Sequence, residues 1–311
     1  MVNLFNSLKT FSIGGVHPPD QKLSAGAPVK VLPLPKLVSI PVSQHLGAPA
    51  KIVVERGEMV KAGQVVAVHE GFVSANVHAS VSGRVGPIEE ALDSSGFKRT
   101  MIPIRVKGDE WLEGIDLTDN LVSEITCSGE EIIAKILEGG VVGMGGAAFP
   151  SHVKLTVPAG KTVDHLLING VECEPYLTAD HRLMVEKSFE IVVGIRLLMK
   201  ALGVNKAIIG IENNKSDAID AMQNACAPYP SISVEALAVQ YPQGGEKQLI
   251  EALLGRKVPS GKLPADVGAV VHNVGTTFAV YEAVQKKKPL VERIVTVTGK
   301  NIAHPSNFKV R

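Results

Sequence analysis

The spacing of apolar residues changes near residue 115, and the change predicts two kinds of structure. Before that point, short apolar runs such as Gln64–Val68 alternate with turns rich in Gly and Pro, without a helical period. Beyond it, apolar runs such as His165–Asn169 alternate with amphipathic segments such as Asp180–Leu202, which we expect to form one long helix ended by Gly203. The pattern predicts an all-β region followed by a mostly parallel α/β region.

Further elements are predicted within the α/β region. Ser128 and Glu131 have the spacing of a capping box and precede a helix over Ile132–Leu137. The others are strand Lys206–Ile211, helix Ser216–Ala225, strand Ser233–Val239, helix Glu246–Leu254, strand Ala269–His272 and helix Thr276–Gln285. Because ligands bind at the carboxyl ends of parallel strands, we expect the loops that follow these strands to form the site.

The last residues of the sequence turn strand-like again. Arg293–Gly299 has the alternation of a strand, and no partner for it is evident in the short sequence that follows. We therefore expect this strand to begin a further domain that is cut off. The predicted domains are residues 1–115, 116–290 and 291–311.

Composition narrows the functional classes. The 311 residues carry 32 Lys and Arg against 31 Asp and Glu, so the net charge of +1 provides no basic field for nucleic acid. The cysteines, Cys127, Cys173 and Cys226, form no CxxC pair, which predicts no metal site in this chain and a reducing, cytoplasmic setting. The most apolar helix, Ile191–Leu202, is interrupted by charged residues, so we expect no direct membrane span.

A glycine-rich loop suggests a phosphorylated redox cofactor. In Gly143–Pro150, Gly145 and Gly146 let the main chain approach a phosphate or a flavin ring closely, and Lys154 adds a positive charge one turn later. On its own, the loop is equally compatible with an ordinary helix C-cap and turn.

Three further loops carry polar groups. In Asn169–Pro175, Glu172 and Glu174 flank a cysteine, and two carboxylates so close repel each other unless they are solvated or engaged by ligand hydroxyls such as those of ribose. A solvated acidic turn is the simpler explanation of that loop taken alone. Gln243–Lys247 and His272–Thr276 each open a helix after a strand, with a plain helix cap and an Asn-Gly-type turn as the alternatives.

The N-terminal region resembles the barrel-sandwich hybrid of lipoyl and biotinyl carrier domains. The resemblance lies in Glu55–Gln64 and Ala79–Val85. Those carriers present a modifiable lysine at a hairpin tip, whereas the corresponding segment here, Gly71–Asn76, contains no lysine. The resemblance therefore implies a scaffold rather than a swinging-arm carrier.

The loops together resemble the FMN- and NADH-binding domain of the flavoprotein subunit of complex I, whose motifs have the forms GRGGAGFPTGLKW, NADExEPG, GEETAL and NNVET. The matching segments are Gly143–Lys154, Asn169–Asp180, Gly244–Leu249 and Asn273–Thr276. The N-terminal region is similar to the RnfC family of the Rnf electron-transport complexes, in Gly14–Pro19, Pro41–Pro49 and Ser80–Gly83. The resemblance covers essentially the whole chain.

This resemblance implies which residues bind the cofactors. They are Gly143, Gly145, Gly146, Ala147, Phe149, Lys154, Asn169, Glu172, Glu174, Glu246, Asn273 and Thr276. Lys154 and Asn169 are implied to contact FMN, and Glu172 and Glu174 to lie near the dinucleotide. Three acids of the complex I motifs are replaced, by Val171, Gly245 and Gly275, which places the chain nearer the Rnf branch. No catalytic acid or base is predicted, because hydride transfer between nicotinamide and flavin requires none.

The resemblance implies an α/β fold with an N-terminal all-β barrel-sandwich hybrid, a mostly parallel α/β flavin-binding domain and the start of a truncated β-grasp (SLBB) domain. It implies a peripheral module on the cytoplasmic side of the cell membrane, associated with the other Rnf subunits. FMN would exchange a hydride with NAD(H), and [4Fe–4S] clusters are expected in the full-length protein alone. The alternatives are a cobalamin reductase of the propanediol-utilisation type and a docking protein that binds no flavin.

Overall fold

A computed structural model of the chain describes residues 8–93 and 95–311. The strands are β1 (Lys30–Val31), β2 (Leu37–Pro41), β3 (Lys51–Ile52), β4 (Met59–Val60), β5 (Val65–Val68), β6 (Val77–His78), β7 (Gly83–Val85), β8 (Glu89–Leu92), β9 (Lys98–Val106), β10 (His165–Asn169), β11 (Ala207–Glu212), β12 (Ile232–Leu237), β13 (Ala269–Asn273), β14 (Arg293–Val297) and β15 (Ser306–Val310). The helices are α1 (Gly129–Glu138), α2 (Ser151–Leu155), α3 (Ala179–Glu186), α4 (Ser188–Leu202), α5 (Ser216–Cys226), α6 (Glu246–Leu254) and α7 (Val274–Gln285), with a 3₁₀ turn at Pro264–Val267.

The described residues form two compact units. The first, which we call the parallel-sheet unit, contains the residues up to Lys30, Val157–Thr277 and Ile294–Phe308. The second, which we call the two-sheet unit, contains Val31–Thr156, Phe278–Arg293 and Lys309–Arg311. Residues 8–30 thus pack within the parallel-sheet unit, although their composition resembles that of the β region. The domain boundaries expected near residues 115 and 290 stay a prediction.

Parallel strands in the order β12-β11-β10-β13 form the sheet of the parallel-sheet unit. β10 contributes Leu166, Leu167 and Ile168, all fully buried, as expected for a strand covered on both faces. Successive side chains of β10 point to opposite faces of the sheet. On one face, Leu167 packs with Leu249 and Leu253 of α6. Helix α4 also packs against β10. The prediction of a mostly parallel α/β region is confirmed.

The order of the strands reverses between β10 and β13. β10, β11 and β12 follow one another across the sheet in one direction, and the chain then returns past β10 to form β13. Open α/β sheets form a ligand crevice at such a topological switch point, outside the carboxyl ends of the strands. In this sheet the switch point lies beside Asn169 and Asn273, the last residues of β10 and β13.

The prediction of one helix over Asp180–Leu202 is wrong, because the segment forms α3 and α4 with a break at Lys187. Lys187 has φ −135° and ψ 32°, outside the helical region. The change of direction lets both helices pack against α5. The predicted end of α4 is confirmed: Gly203 adopts the left-handed conformation with φ +67°.

The two-sheet unit contains the predicted short strands of the N-terminal region. One sheet has the order β2-β9-β7-β4, with β8 added to β9, and the other has the order β3-β5-β6. Alternate side chains of both sheets fill one core, which includes Ile40, Ile102, Ile104, Val66 and Val77. The predicted capping box of α1 is confirmed, since Ser128 Oγ accepts a hydrogen bond from Glu131 N at 3.2 Å while Glu131 Oε2 accepts one from Ser128 N.

The C-terminal strand differs from the expectation in having a partner. β14 pairs with β15, and β15 also pairs with β1, giving the order β1-β15-β14. The sequence of β15, Ser306–Val310, contains Asn307 and Lys309, which hide the apolar alternation of a strand. Its pairing is therefore not visible in the local pattern.

Candidate functional site

Two asparagines lie side by side at the switch point of the parallel sheet. β10 and β13 are paired in parallel register, and Asn169 is the partner of Asn273. Asn169 Nδ2 donates to the carbonyl of Gly244 at 2.8 Å, and Asn169 Oδ1 accepts from Val171 N at 3.2 Å. Asn169 therefore connects the loop after its own strand with the loop that precedes α6.

Asn273 fixes the first turns of two helices. Its Oδ1 accepts from Thr276 N at 3.1 Å, in the first turn of α7, where Thr276 is fully buried. Its Nδ2 donates to Asp180 Oδ2 at 2.7 Å, in the first turn of α3. Asp180 ends the second matching segment but is absent from the predicted site residues. The two asparagines thus organise the carboxyl edge on both sides of the crevice.

Glu172 and Glu174 have different environments. Glu172 is 8% exposed, and its carboxylate caps α3 by accepting from Asp180 N at 2.8 Å and His181 N at 3.2 Å. Glu174 is exposed. Burial is the main cause that raises the pKa of Glu172 from its ordinary 4.5 to about 7, and the Asp180 carboxylate acts in the same direction. The repulsion expected between the two acids is avoided because one is buried as a helix cap and the other faces solvent.

The raised pKa of Glu172 predicts a pH-dependent stability. Between about pH 4.5 and pH 7 the native carboxyl keeps a proton that the unfolded chain has lost, so this contribution to stability is fully present below pH 4.5 and is lost as the pH rises through 7. We expect the free energy of unfolding of the wild type, minus that of Glu172→Gln, to fall by on the order of 3 kcal/mol across this window. Urea denaturation of both proteins at a series of pH values measures it.

Glu174→Gln is the matched control in the same loop. Because its side chain is exposed, we expect the free energy of unfolding to change by less than about 0.5 kcal/mol. A difference between wild type and Glu172→Gln that stays constant from about pH 4.5 to pH 8 would contradict the assignment of a raised pKa to Glu172.

The loop before α6 packs closely against the loop after β10. A side chain on Gly244 would place its Cβ 3.3 Å from Cys173 Sγ and 3.5 Å from Val171, and Gly244 N donates to Cys173 Sγ at 3.3 Å. Burial raises the pKa of the Cys173 thiol, which agrees with a packing role rather than a nucleophilic one. Glu246 is half-buried in the first turn of α6.

The glycine-rich loop lies in the two-sheet unit. Its ends are joined where Gly143 N donates to the Phe149 carbonyl at 2.9 Å, and Val142 pairs with Pro150. Gly145, Gly146 and Ala147 between them are exposed, and a Cβ on Gly146 would meet nothing within 4 Å. The apex is therefore open to a ligand, while the base is held in one shape.

A cavity of about 330 Å³ lies against this loop within the two-sheet unit. Its lining includes Gly143, Met144 and Ala148 of the loop together with His78 and Arg293. Arg293 Nη2 donates to the Met144 carbonyl at 2.8 Å, and burial lowers the pKa of His78 to about 4. Arg293 thus bonds directly to the loop, and His78 contributes an uncharged imidazole to the cavity beside it at neutral pH.

The structure places the predicted site residues in two groups. Those of the parallel-sheet unit gather at the carboxyl edge: Asn169, Glu172, Glu174, Glu246, Asn273 and Thr276. Those of the two-sheet unit belong to the glycine-rich loop and to α2: Gly143, Gly145, Gly146, Ala147, Phe149 and Lys154, the last two half-buried. Two residues that contact this site were missed from the sequence. Asp180 could have been found, because it ends the second matching motif segment. Lys22 bonds to the carbonyl of Glu172, and the local sequence gives no signal of that contact.

Comparison with protein families gives two matches. Residues 136–282 match the model described as the Nuo51 FMN-binding domain, and residues 9–109 match the RnfC barrel sandwich hybrid domain. The chain is 49% identical over 306 residues to the C subunit of the proton-translocating ferredoxin:NAD(+) oxidoreductase complex of Clostridium ljungdahlii, and 45% identical over 300 residues to the C subunit of the Na(+)-translocating complex of Acetobacterium woodii. The chain belongs to the RnfC family.

These RnfC relatives are longer than the chain. The alignments cover 98% and 96% of the chain but 66% and 67% of the two relatives. The C subunit of the ion-translocating oxidoreductase complex of Rhodobacter capsulatus is 43% identical over 317 residues, which is 100% of the chain and 60% of that relative. The chain therefore spans between 60% and 67% of the length of these three relatives.

Solved structures support the fold assignment. The NAD+-reducing [NiFe]-hydrogenase, in its H2-reduced state, superposes with a TM-score of 0.52 over 59% of this RnfC chain and 37% of the hydrogenase chain, at 23% identity. Its air-oxidized form gives the same TM-score and identity. At this level of identity the similarity concerns the fold.

Membrane-spanning helices and metal clusters are both absent from residues 8–93 and 95–311 of this RnfC chain. Within these ranges no helix combines the length and the apolar character that a membrane crossing requires. The same ranges contain no group of three or more His, Cys, Asp or Glu side chains arranged to hold a metal ion.

Proposed function

We propose that this chain is the FMN-binding, electron-input part of the RnfC protein of an Rnf-type ion-translocating ferredoxin:NAD+ oxidoreductase. The observation that carries the proposal is the register pair Asn169 and Asn273 at the topological switch point of the parallel sheet. Two neutral amides at such a crevice suit the carbonyl and nitrogen atoms of a flavin ring, which both accept and donate hydrogen bonds. The match of residues 136–282 to an FMN-binding family supports the same ligand.

The residues present fit FMN in their chemistry. Beside the asparagines, Gln243 is fully buried, and its Nε2 has no hydrogen-bond partner among the described residues. A buried donor left unpaired is costly, so a polar ligand group near the start of α6 would compensate for it. In the two-sheet unit, the open apex at Gly146 permits close approach of a ligand to the main chain, and Lys154 supplies a positive charge.

The residues of the chain bind and orient the cofactor, whereas the cofactor supplies the electron chemistry. FMN, when bound, supplies the exchange between a hydride of NAD(H) and single electrons. Asn169 and Asn273 hold the loops of the crevice in one arrangement through their bonds to Gly244 and Asp180. Glu172, as the cap of α3, directs its two carboxyl oxygens at the backbone amides of Asp180 and His181. The other predicted ligands keep the roles implied by the family resemblance.

The proposal extends to the setting of the chain. The relatives are named as subunits of ion-translocating complexes, which supports the other Rnf subunits as partners. We also propose a peripheral position on the cytoplasmic side of the membrane, which the family resemblance implies. We also propose that the [4Fe–4S] clusters that take up the electrons belong to the full-length protein.

FMN titration of the purified chain, followed by anaerobic addition of NADH, tests the proposal. We expect saturable binding and loss of the flavin absorbance on addition of NADH. Asn273→Ala should weaken FMN binding about tenfold, because it removes two hydrogen bonds that order the crevice. Asn213→Ala is the matched control, since Asn213 is an exposed asparagine after β11, away from the switch point. A folded wild-type chain that binds no FMN would overturn the proposal and favour a docking protein.

A further inference from the structure

The segment Lys9–Ser24, which we call the N-terminal strap, lies against both loops that border the crevice in the parallel-sheet unit. At the loop before α6, Val16 and Tyr241 exchange two backbone hydrogen bonds of 2.8 Å each. Gly15 has φ +91°, and a Cβ there would lie 2.3 Å from Gln240 Nε2. A glycine is therefore required where the strap crosses this loop.

At the loop after β10, the strap is attached through Lys22. Lys22 Nζ donates to three backbone carbonyls, those of Glu172 at 2.8 Å, Glu174 at 2.9 Å and Leu177 at 2.8 Å. These bonds use all three donors of the ammonium group. Close by, the carbonyl of Asp20 accepts from the amide of Tyr176 at 2.8 Å. One side chain of the strap thus bonds to the loop at three positions, from Glu172 to Leu177.

The loop that Lys22 holds contains strained backbone. Glu172 has φ +46° and Tyr176 has φ +72°, in the left-handed region that residues with a side chain adopt at a cost of about 1–3 kcal/mol each. Such residues persist only where the surrounding contacts over-determine the conformation. Lys22 bonds to the carbonyl of Glu172 at one strained position, and the strap carbonyl of Asp20 accepts from the amide of Tyr176 at the other. The bond of Lys22 to the carbonyl of Leu177 fixes the residue that follows Tyr176. Without them, the loop would relax toward ordinary backbone conformations.

We infer that Lys22 is a positioning residue of the flavin site: it holds the loop Glu172–Leu177 in the strained conformation that places Glu172 as the cap of α3 at the crevice. This inference rests on the proposed flavin function. It also assigns a role to the Gly14–Pro19 motif, which makes the crossing that brings the strap to the crevice. Lys22 acts through the loop and is not itself assigned a contact with the cofactor.

The test compares Lys22→Met, Lys22→Arg and Lys206→Met with the wild type. Methionine keeps an unbranched apolar stem but removes the three donors, arginine keeps the charge and part of the donor set, and Lys206 is an exposed lysine before β11, at the opposite edge of the sheet. Two quantities are measured: the FMN dissociation constant by flavin fluorescence, and the hydrogen-exchange rates of the amides of residues 172–178 without FMN.

For Lys22→Met we expect an FMN dissociation constant raised about tenfold and exchange at residues 172–178 accelerated at least about tenfold, with exchange in β11 and β13 unchanged. Lys22→Arg should recover part of both effects, and Lys206→Met should resemble the wild type. Accelerated exchange of β11 and β13 as well would overturn the inference, because it indicates global destabilisation. Unchanged exchange at 172–178, or unchanged FMN affinity in Lys22→Met, would also overturn it. A wild type that binds no FMN defeats the proposed function, and the exchange rates still decide whether Lys22 orders the loop.

Discussion

Lys215→Met is expected to lower the free energy of unfolding of the parallel-sheet unit by about 3–5 kcal/mol. Lys215 is fully buried, and its Nζ donates to Glu212 Oε2 at 3.1 Å and to Asn214 Oδ1 at 2.8 Å. Glu212 is 1% exposed, so removal of the lysine leaves a buried carboxylate without its charge partner. Urea denaturation followed by far-ultraviolet circular dichroism measures the effect, because most of the described helical residues belong to this unit.

The pH dependence of this effect follows from Glu212. Burial already raises the pKa of the Glu212 carboxyl, and the charge of Lys215 opposes that shift. Without Lys215 the carboxyl takes up a proton more readily in the native state, which removes the uncompensated charge at low pH. We therefore expect the destabilisation in Lys215→Met to be smaller at about pH 5 than at about pH 8.

A double-mutant cycle provides the control. Glu212→Gln combined with Lys215→Met removes both charges, so the double variant should be more stable than Lys215→Met alone. Lys257→Met removes an exposed ion pair with Glu251, in which the lysine side chain is 67% exposed, and should cost less than about 1 kcal/mol. Equal losses in Lys215→Met and Lys257→Met would show that the buried pair contributes no more than a surface pair.

The sequence predicted the elements whose signals are local. β10 is an unbroken apolar run because both faces of the sheet are covered, and α1 begins at a capping box formed by two residues three positions apart. Gly203 ends α4 because a left-handed residue is required there. In each case the physical cause acts between residues that are close in the sequence, so the pattern alone reveals it.

The features that the sequence did not predict depend on contacts between distant segments. The break at Lys187 is set by packing of α3 and α4 on α5, and the partner of β14 is a strand with a polar sequence. Glu212 and Lys215 look like part of a polar turn, because nothing local indicates that both are buried. Such pairs become visible when the tertiary fold is known.

The candidate site was partly predictable for the same reason. Asn169 and Asn273 were identified through motif segments, and the sheet register then brought them together. Glu172 caps α3 by accepting from Asp180 N, eight residues later in the sequence. Lys22 bonds to Glu172, which lies 150 residues later. The motif therefore located the crevice, whereas the residues that hold its loops in place emerged from the structure.

Gly140→Ala is expected to destabilise the two-sheet unit by about 2–4 kcal/mol. Gly140 follows α1 with φ +61°, and a Cβ there would lie 2.3 Å from the backbone carbonyl oxygen of Asn76 and 3.2 Å from His78 Cε1. The left-handed backbone costs about 1 kcal/mol for a residue with a side chain, and the close approach to Asn76 requires a backbone shift rather than a rotamer change. Urea denaturation followed by the fluorescence of Trp111, the single tryptophan, reports on this unit.

Gly71→Ala separates the two effects. Gly71 belongs to the same unit and has φ +77°, but a Cβ there would meet nothing within 4 Å, so this variant shows the cost of the left-handed backbone alone, about 1 kcal/mol. The excess cost in Gly140→Ala measures the clash with Asn76. Because Gly140 directly precedes the segment Val141–Pro150, the shift that relieves the clash moves the base of the glycine-rich loop. Equal losses in the two variants would contradict a backbone clash at Gly140 and leave the left-handed conformation as the whole cost.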